Sequence, residues 1–284
     1  MIRLSSHSAF LGAIAHASRV RVTAYILGGG SLVPALEAAS ERGASVEVEV
    51  ERAPFADSKG HLARLNHRTV RELRRHGVSA HLTRRGEPPL HLKAAVVDGQ
   101  AFLDDRNWPS KGDDTIVTTS APRDLKRIGD ALAGEPDSAD AALALHKGYA
   151  LQLEADTIDA APAGSTVDCE SETFGASTVA RALARRALRG ERVHLLVTRK
   201  KLAGNPAERR TLAELRAAGV EIRLTDADEK VALTASGGWV GSANATSASP
   251  EMLDWGARTC DPNVLATLRG RFEVRWDPAT PLVA

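Results

Sequence analysis

His91 and Lys93, followed by Asp98 and Asn107, form the stretch whose residue types and spacing most clearly suggest a reaction. They sit in LHLKAAVVDGQAFLDDRNW, residues 90–108. The apolar run 94–97 reads as a buried strand. Alternate residues on a strand share a face, so His91 and Lys93 are expected to point the same way. An imidazole beside an ammonium makes a poor hydrophobic surface but a good phosphate site. The ammonium holds a phosphate oxygen, and the imidazole attacks phosphorus or donates a proton.

A damaged copy lies downstream in DEKVALTASGGWVGSAN, residues 228–244. Lys230 and Asn244 follow Lys93 and Asn107 by the same 137 positions. At that offset His91 becomes Asp228 and Asp98 becomes Ala235. The first copy keeps the whole set; the second keeps only the lysine and asparagine.

The two copies resemble the phospholipase D superfamily, whose signature is H-x-K-x4-D followed by G-S-x-N, carried twice. The first copy matches at His91, Lys93, Asp98 and Asn107, with Asp104-Asp105 in place of Gly-Ser. The second keeps Gly241, Ser242 and Asn244. The resemblance covers most of the chain. It implies an α/β fold of two pseudo-symmetric phospholipase D-like α-β-α repeats packed into one body, with both motifs meeting at one site. The first repeat is expected over 1–120, a connection over 121–147 and the second repeat over 148–284.

The resemblance also assigns roles. His91 is the nucleophile that forms a phosphohistidine, and Lys93, Asn107, Lys230 and Asn244 cradle the phosphate oxygens. The lysines supply the positive charge, so neither a metal nor a cofactor is expected. A carboxylate about ten residues after the motif asparagine orients the histidine of the opposite half. Asp254, in MLDWG, fits, and Asp113 or Asp114 is the looser equivalent in the first copy. Asp98 is commonly structural in such motifs and is given no chemical step. Asp228 stands where the second histidine, the general acid, would be. Three outcomes follow: Asp228 carries the proton itself, a good leaving group needs no acid, or the protein binds phosphate esters without turning them over. Neighbouring lysines argue against the first by favouring ionised carboxylate. A homodimer would restore a second His91, but the internal repeat already fills that place.

The elements that position these residues read as a repeat. In the first half, a helical turn or two over 10–18 precedes a strand over 19–27. Ser31 is placed as N-cap of a helix over 32–42, ended by Gly43. A strand over 45–51, a helix over 61–76 ended by Gly77 and a strand over 78–83 follow, with the motif strand from Leu90 onward. The second half repeats the order: a strand over 166–172, Ser177 capping a helix over 178–189, and a strand over 193–198. A helix over 207–218 and a strand over 220–225 complete it. HGVSAHLT and AGVEIRLT align residue for residue at Gly77 and Gly219. The connection is expected to hold a short helix. Glu170 and Glu172 align near residues 25–27. They and Glu229 are read as strand-edge acids in solvent. Trp108 and Trp239 are read as core.

Composition narrows the function. With 284 residues, 43% hydrophobic and 26% charged, the chain suits a globular protein. A net charge of +1 excludes a uniformly basic nucleic-acid binder, and 4% aromatic content argues against many stacked bases or a wide aromatic lipid surface. Arg64, Arg68, Arg71 and Arg75 fall on one helical face. That face is a candidate polyanion track, though its plainer reading is a solvated surface. Cys169 and Cys260 have no metal-ligand spacing. With no apolar run long enough for a bilayer and no convincing secretion signal, the expected location is cytoplasm. The expected activity is a phospholipase D-like phosphodiesterase, hydrolysing or transferring a phosphodiester of a phospholipid or a nucleic acid. The alternative is a non-catalytic phosphate-ester or nucleic-acid binding protein.

Overall fold

Alternation in RVRVTA and SVEVEV puts Val20, Val22, Val46, Val48 and Val50 on one face, and the two segments pair in parallel as a ladder from Arg19↔Ser45 to Ala24↔Val50. The computed structural model describes residues 2–55, 57, 59–108, 115–133, 142–202 and 204–282. The chain divides into two compact units, Met1–Asp137 with Glu251–Asp254, and Ser138–Pro250 with Trp255–Ala284.

The first unit contains β1 (Arg3–Ser5), α1 (His7–His16), β2 (Arg19–Ala24), α2 (Leu32–Glu41), β3 (Ser45–Val50), α3 (His61–Arg75) and β4 (Ser79–Leu82). It continues with β5 (Ala94–Val97), β6 (Gln100–Asp104), β7 (Ile116–Thr119) and α4 (Pro122–Leu132). Its sheet runs β1-β7-β6-β5-β2-β3-β4. β2, β3 and β4 are parallel, while β5, β6 and β7 are antiparallel. Phe10, Ile14, Leu36, Val70 and Leu73 from α1, α2 and α3 pack on Val22, Val48, Ala95 and Phe102 of the sheet. Trp108 joins this core and donates from Nε1 to Thr23 O at 3.1 Å.

The second unit contains β8 (Leu143–His146), α5 (Lys147–Asp159), β9 (Val167–Ser171), α6 (Thr178–Leu188), β10 (Val193–Thr198), α7 (Arg199–Leu202), α8 (Pro206–Ala217) and β11 (Glu221–Thr225). Then come β12 (Val231–Leu233), β13 (Gly238–Gly241), β14 (Leu253–Thr259, whose Leu253 and Asp254 count with the first unit), α9 (Pro262–Trp276) and β15 (Thr280–Pro281). Its sheet runs β15-β11-β10-β9-β12-β13-β14-β8. Read from β8, this is the order of the first sheet with each strand advanced by seven, plus β15. The stretch read as a connection holds α4, which lies in the first unit, and β8, which opens the second.

Some local expectations are corrected. Ser31 makes no side-chain cap to α2; its φ of −88° and ψ of −15° are already helical, and its hydroxyl pairs with His7 Nε2 at 2.8 Å. Ser177 does cap α6, accepting from Ala180 N at 3.1 Å. β2 stops at Ala24, three residues before the expected end, because the ladder to β5 starts at Thr23↔Ala94. Both cysteines are free, Cys169 buried and Cys260 exposed.

Buried Glu154 on α5 accepts a 3.6 Å hydrogen bond from Cys169 Sγ on β9, and its Oε2 has no partner among the described residues. Burial pushes the Glu154 carboxyl up to about 8, against the pull of the Cys169 hydrogen bond. Burial, then the neighbouring Glu154 carboxyl, raises the Cys169 thiol.

Candidate active site

His91 and Lys93 lie just ahead of β5 and not on it, which corrects the expected motif strand. Leu90 bridges to Leu253, and His91 N donates to Leu253 O at 2.8 Å, so this backbone is held by residues 251–254 of the same unit. Glu51 fixes the approach, accepting from Leu90 N at 2.8 Å and Ala53 N at 2.7 Å. Asn66 of α3 ties strand ends together, donating to Tyr25 O and Glu51 O and accepting from Leu27 N.

His91 Nδ1 lies 3.0 Å from Oδ2 of Asp254, a fully buried carboxylate. Lys93, 1% exposed, places its Nζ 2.9 Å from both ring nitrogens of His91. An ionised Asp254 accepts only, so it selects the Nδ1–H tautomer. The lone pair is then on Nε2, which lies 2.9 Å from the Lys93 ammonium. Tyr25 meets the imidazole edge-on, with ring centroids 4.7 Å apart and planes at 64°, and lies 5.6 Å from Lys93 Nζ. Its hydroxyl donates to Phe55 O at 3.2 Å.

Asp98 sits at a left-handed φ of 43°, and its carboxylate accepts from Ser18 N at 2.9 Å and Arg19 N at 2.8 Å. It stitches the β5–β6 turn to the start of β2. Asp104 Oδ1 accepts from Arg106 N at 2.9 Å, and Asp105 Oδ1 from Thr115 N at 3.0 Å. These two acids build the turn that carries Asn107. Asn107 Oδ1 is buried and has no hydrogen-bond partner among the described residues. Asp113 and Asp114 lie outside the described residues.

In the second unit Lys230, 2% exposed, donates to Asp228 O at 2.9 Å and lies 3.6 Å from Glu172 Oε2. Asp228 is half-buried. Asn244 Oδ1, like that of Asn107, is buried without a partner among the described residues. Gly241 has no room for a side chain: a Cβ there would collide with Trp255 O. Asp104 occupies the matching place in the first copy.

Two of the three second-half acids are not solvated, while Glu172 is partly exposed. Glu170 and Glu229 are fully buried. Arg275 of α9 binds both, through Nε to Glu170 Oε2 at 2.8 Å and through Nη2 to Glu229 Oε2, and Arg271 Nη1 lies 3.8 Å from Glu229 Oε1. Burial opposes the Arg275 charge, but the two carboxylates outweigh it and raise its pKa. The expected solvent role fails for Glu170 and Glu229 because α9 covers this face of the sheet, a helix whose start the sequence marks with Asp261 and Pro262. The strand registers also correct the alignment. Ala94 pairs with Thr23 and Val231 with Glu170, so Glu170 matches Thr23 and Glu172 matches Tyr25. The residue in that second position touches the motif lysine in both units: Tyr25 at Lys93, Glu172 at Lys230.

Reading the sequence missed Tyr25, Glu51, Asn66 and Arg275. Asn66 left a signal, an amide on the apolar face of an otherwise amphipathic helix. The other three become visible only when strands from distant segments pair.

No family model and no curated protein matches the sequence. Solved structures do match. A polyphosphate kinase from Porphyromonas gingivalis superposes with a TM-score of 0.69 at 17% identity, over 99% of this chain and 51% of that one. The chain thus spans about half the length of that kinase. A phosphatidylserine synthase from Haemophilus influenzae superposes with a TM-score of 0.68 at 11% identity, over 99% of this chain and 87% of that one. Nuc from Salmonella typhimurium, a phospholipase D family member, matches 50% of this chain and 98% of its own, with a TM-score of 0.44 at 18% identity. At these identities the likeness is one of fold: the chain has the two-part mixed α/β fold of the polyphosphate kinase and the phosphatidylserine synthase. Among the described residues, no helix is long and apolar enough to cross a membrane, and no group of three or more His, Cys, Asp or Glu is placed to hold a metal ion.

Proposed function

We propose that this chain is a phosphoryl-transfer enzyme of the phosphodiesterase type working through His91. The observation that carries the reading is the Asp254–His91–Lys93 array. A buried carboxylate fixes Nδ1, and a buried ammonium lies 2.9 Å from both ring nitrogens. Asp254 holds the Nδ1 proton, which leaves Nε2 as the nucleophile. A phosphodiester anion draws the Lys93 ammonium from Nε2 to its own oxygens. Nε2 then attacks phosphorus, the ester P–O bond breaks, and the leaving group departs with the bonding pair as an alkoxide or phenolate that takes its proton from water. Water or a second alcohol cleaves the phosphohistidine and restores His91. Lys93 and Asn107 are donors to the phosphate oxygens, which gain charge in the five-coordinate transition state, and the resemblance gives Lys230 and Asn244 the corresponding role in the second copy. The two unpartnered asparagine oxygens support this. The amide orientation is interchangeable, so each side chain has free hydrogen-bonding capacity for a ligand.

Asp228 in place of a second histidine favours substrates whose leaving group needs little protonation. It also motivates the second reading, a protein that binds phosphate esters without turning them over. Intact-protein mass after brief incubation with bis-p-nitrophenyl phosphate, quenched at alkaline pH, separates the two. Catalysis predicts nitrophenol release and a nitrophenyl-phosphoryl adduct, both absent in His91→Ala. Folded protein with neither adduct nor release would support the binding reading.

A further inference from the structure

The outer face of α3 is an unusual surface for a chain with a net charge of +1. Arg64, Arg68, Arg71 and Arg75 are all exposed, on the side of the helix opposite buried Asn66, Thr69, Val70 and Leu73. None of the four pairs with a carboxylate among the described residues; Arg64 meets only the His61 ring, at 3.1 Å. The acids nearby are elsewhere engaged or displaced: Glu37 and Glu41 of α2 hold His76, and Glu72 is the one acid on α3. At about 1.5 Å of rise per residue, the four guanidiniums step along the axis at intervals of about 4.5–6 Å. That spacing suits successive phosphates of an extended chain. Solvated faces elsewhere in this protein mix signs, as in the Arg21–Glu47 and His81–Glu49 pairs on the first sheet.

A membrane fits poorly. Helices that lie on bilayers insert apolar residues beside their cations, whereas the apolar residues of α3 turn toward their own core. The exposed large apolar side chain near this helix is Phe55, 43% exposed, on the loop ahead of it. Its ring stacks on Tyr25 at 6.2 Å, and Tyr25 in turn touches His91. An exposed aromatic ring on the loop that leads into a basic helix face supplies the two kinds of contact by which proteins hold single strands: bases stack and cations follow the backbone.

We propose that the outer face of α3, with Phe55 at its start, is a docking surface for single-stranded nucleic acid. This deepens the phosphodiester reading above, but the surface has its own test. Binding of a fluorescent 20-mer oligothymidylate to the full chain is followed by anisotropy across a salt series. The variants are Arg64→Gln/Arg68→Gln/Arg71→Gln/Arg75→Gln together, and Phe55→Ala separately. For single strands, each phosphate contact contributes about 0.7 to the slope of log affinity against log salt. The quadruple variant should therefore flatten the slope by up to about 3. Phe55→Ala should weaken binding about tenfold or more with the slope unchanged. Turnover of bis-p-nitrophenyl phosphate, which is too small to reach the track, should be the same in the quadruple variant as in the parent. A parent that binds oligonucleotide but turns nothing over would sink the catalytic reading and leave the surface standing. An unchanged salt slope in the folded quadruple variant would overturn the surface. So would arginine-dependent binding to phosphatidylserine vesicles without binding to the oligonucleotide.

Discussion

At the scale of single residues, the arrangement around His91 assigns different work to groups that look alike in sequence. Asp98 and Asp254 both accept hydrogen bonds, but Asp98 spends both oxygens on backbone N–H groups while Asp254 faces the imidazole. Asp254→Asn keeps the shape and removes the charge that selects the tautomer. It should slow adduct formation from bis-p-nitrophenyl phosphate by about 10²- to 10⁴-fold, judging from the same change in a carboxylate–histidine–serine site. Asp98→Asn should leave that rate within a few fold and lower stability, as read by urea denaturation. Arg275 is the counter-ion of two fully buried carboxylates, so Arg275→Met strands both. It should cost about 3–5 kcal/mol of stability by urea midpoint.

At the scale of elements, much of the repeat was readable because its strands alternate and its helices end at glycines; Gly43, Gly77 and Gly219 all have positive φ. α5 was harder to read. Lys147, Glu154 and Thr157 lie on the buried face of α5, so polar residues fall on both of its faces and blur the helical period. The same burial gives α5 a pH dependence through Glu154, whose carboxyl titrates near 8 in the folded chain, against 4.5 for an ordinary solvated glutamate. A raised folded-state pKa gives stability that is fully present below about pH 4.5 and is lost as pH rises through about 8, at roughly 1.4 kcal/mol per unit in between. Urea midpoints of the parent should fall across that window relative to those of Glu154→Gln, whose amide does not titrate. Equal pH slopes in the two proteins would remove Glu154 as the cause.

At the scale of the whole chain, two units repeat one strand order while their motifs have diverged. The sequence displayed the divergence directly, because the constant offset of 137 residues sets Asp228 against His91 and Ala235 against Asp98. It did not display a second divergence. Tyr25 and Glu172 take equivalent places beside the two lysines, and only strand register reveals the equivalence. If Asp228 limits the chemistry, Asp228→His should raise turnover of an unactivated dialkyl phosphate at least tenfold and change nitrophenyl release little. Proton donation to the leaving oxygen typically contributes about 10²–10⁴-fold where the leaving group is poor. A rise of equal size on both substrates would point to altered binding instead.

The two cysteines offer a chemical handle. Thiol-selective dyes react with thiolates that they can reach. Cys169 is buried and held protonated, whereas Cys260 is exposed one residue before Asp261, the N-cap of α9. A maleimide fluorophore should therefore label the unaltered protein at one position. That dye would report on α9, the helix that covers Glu170 and Glu229, with no engineered cysteine and none removed.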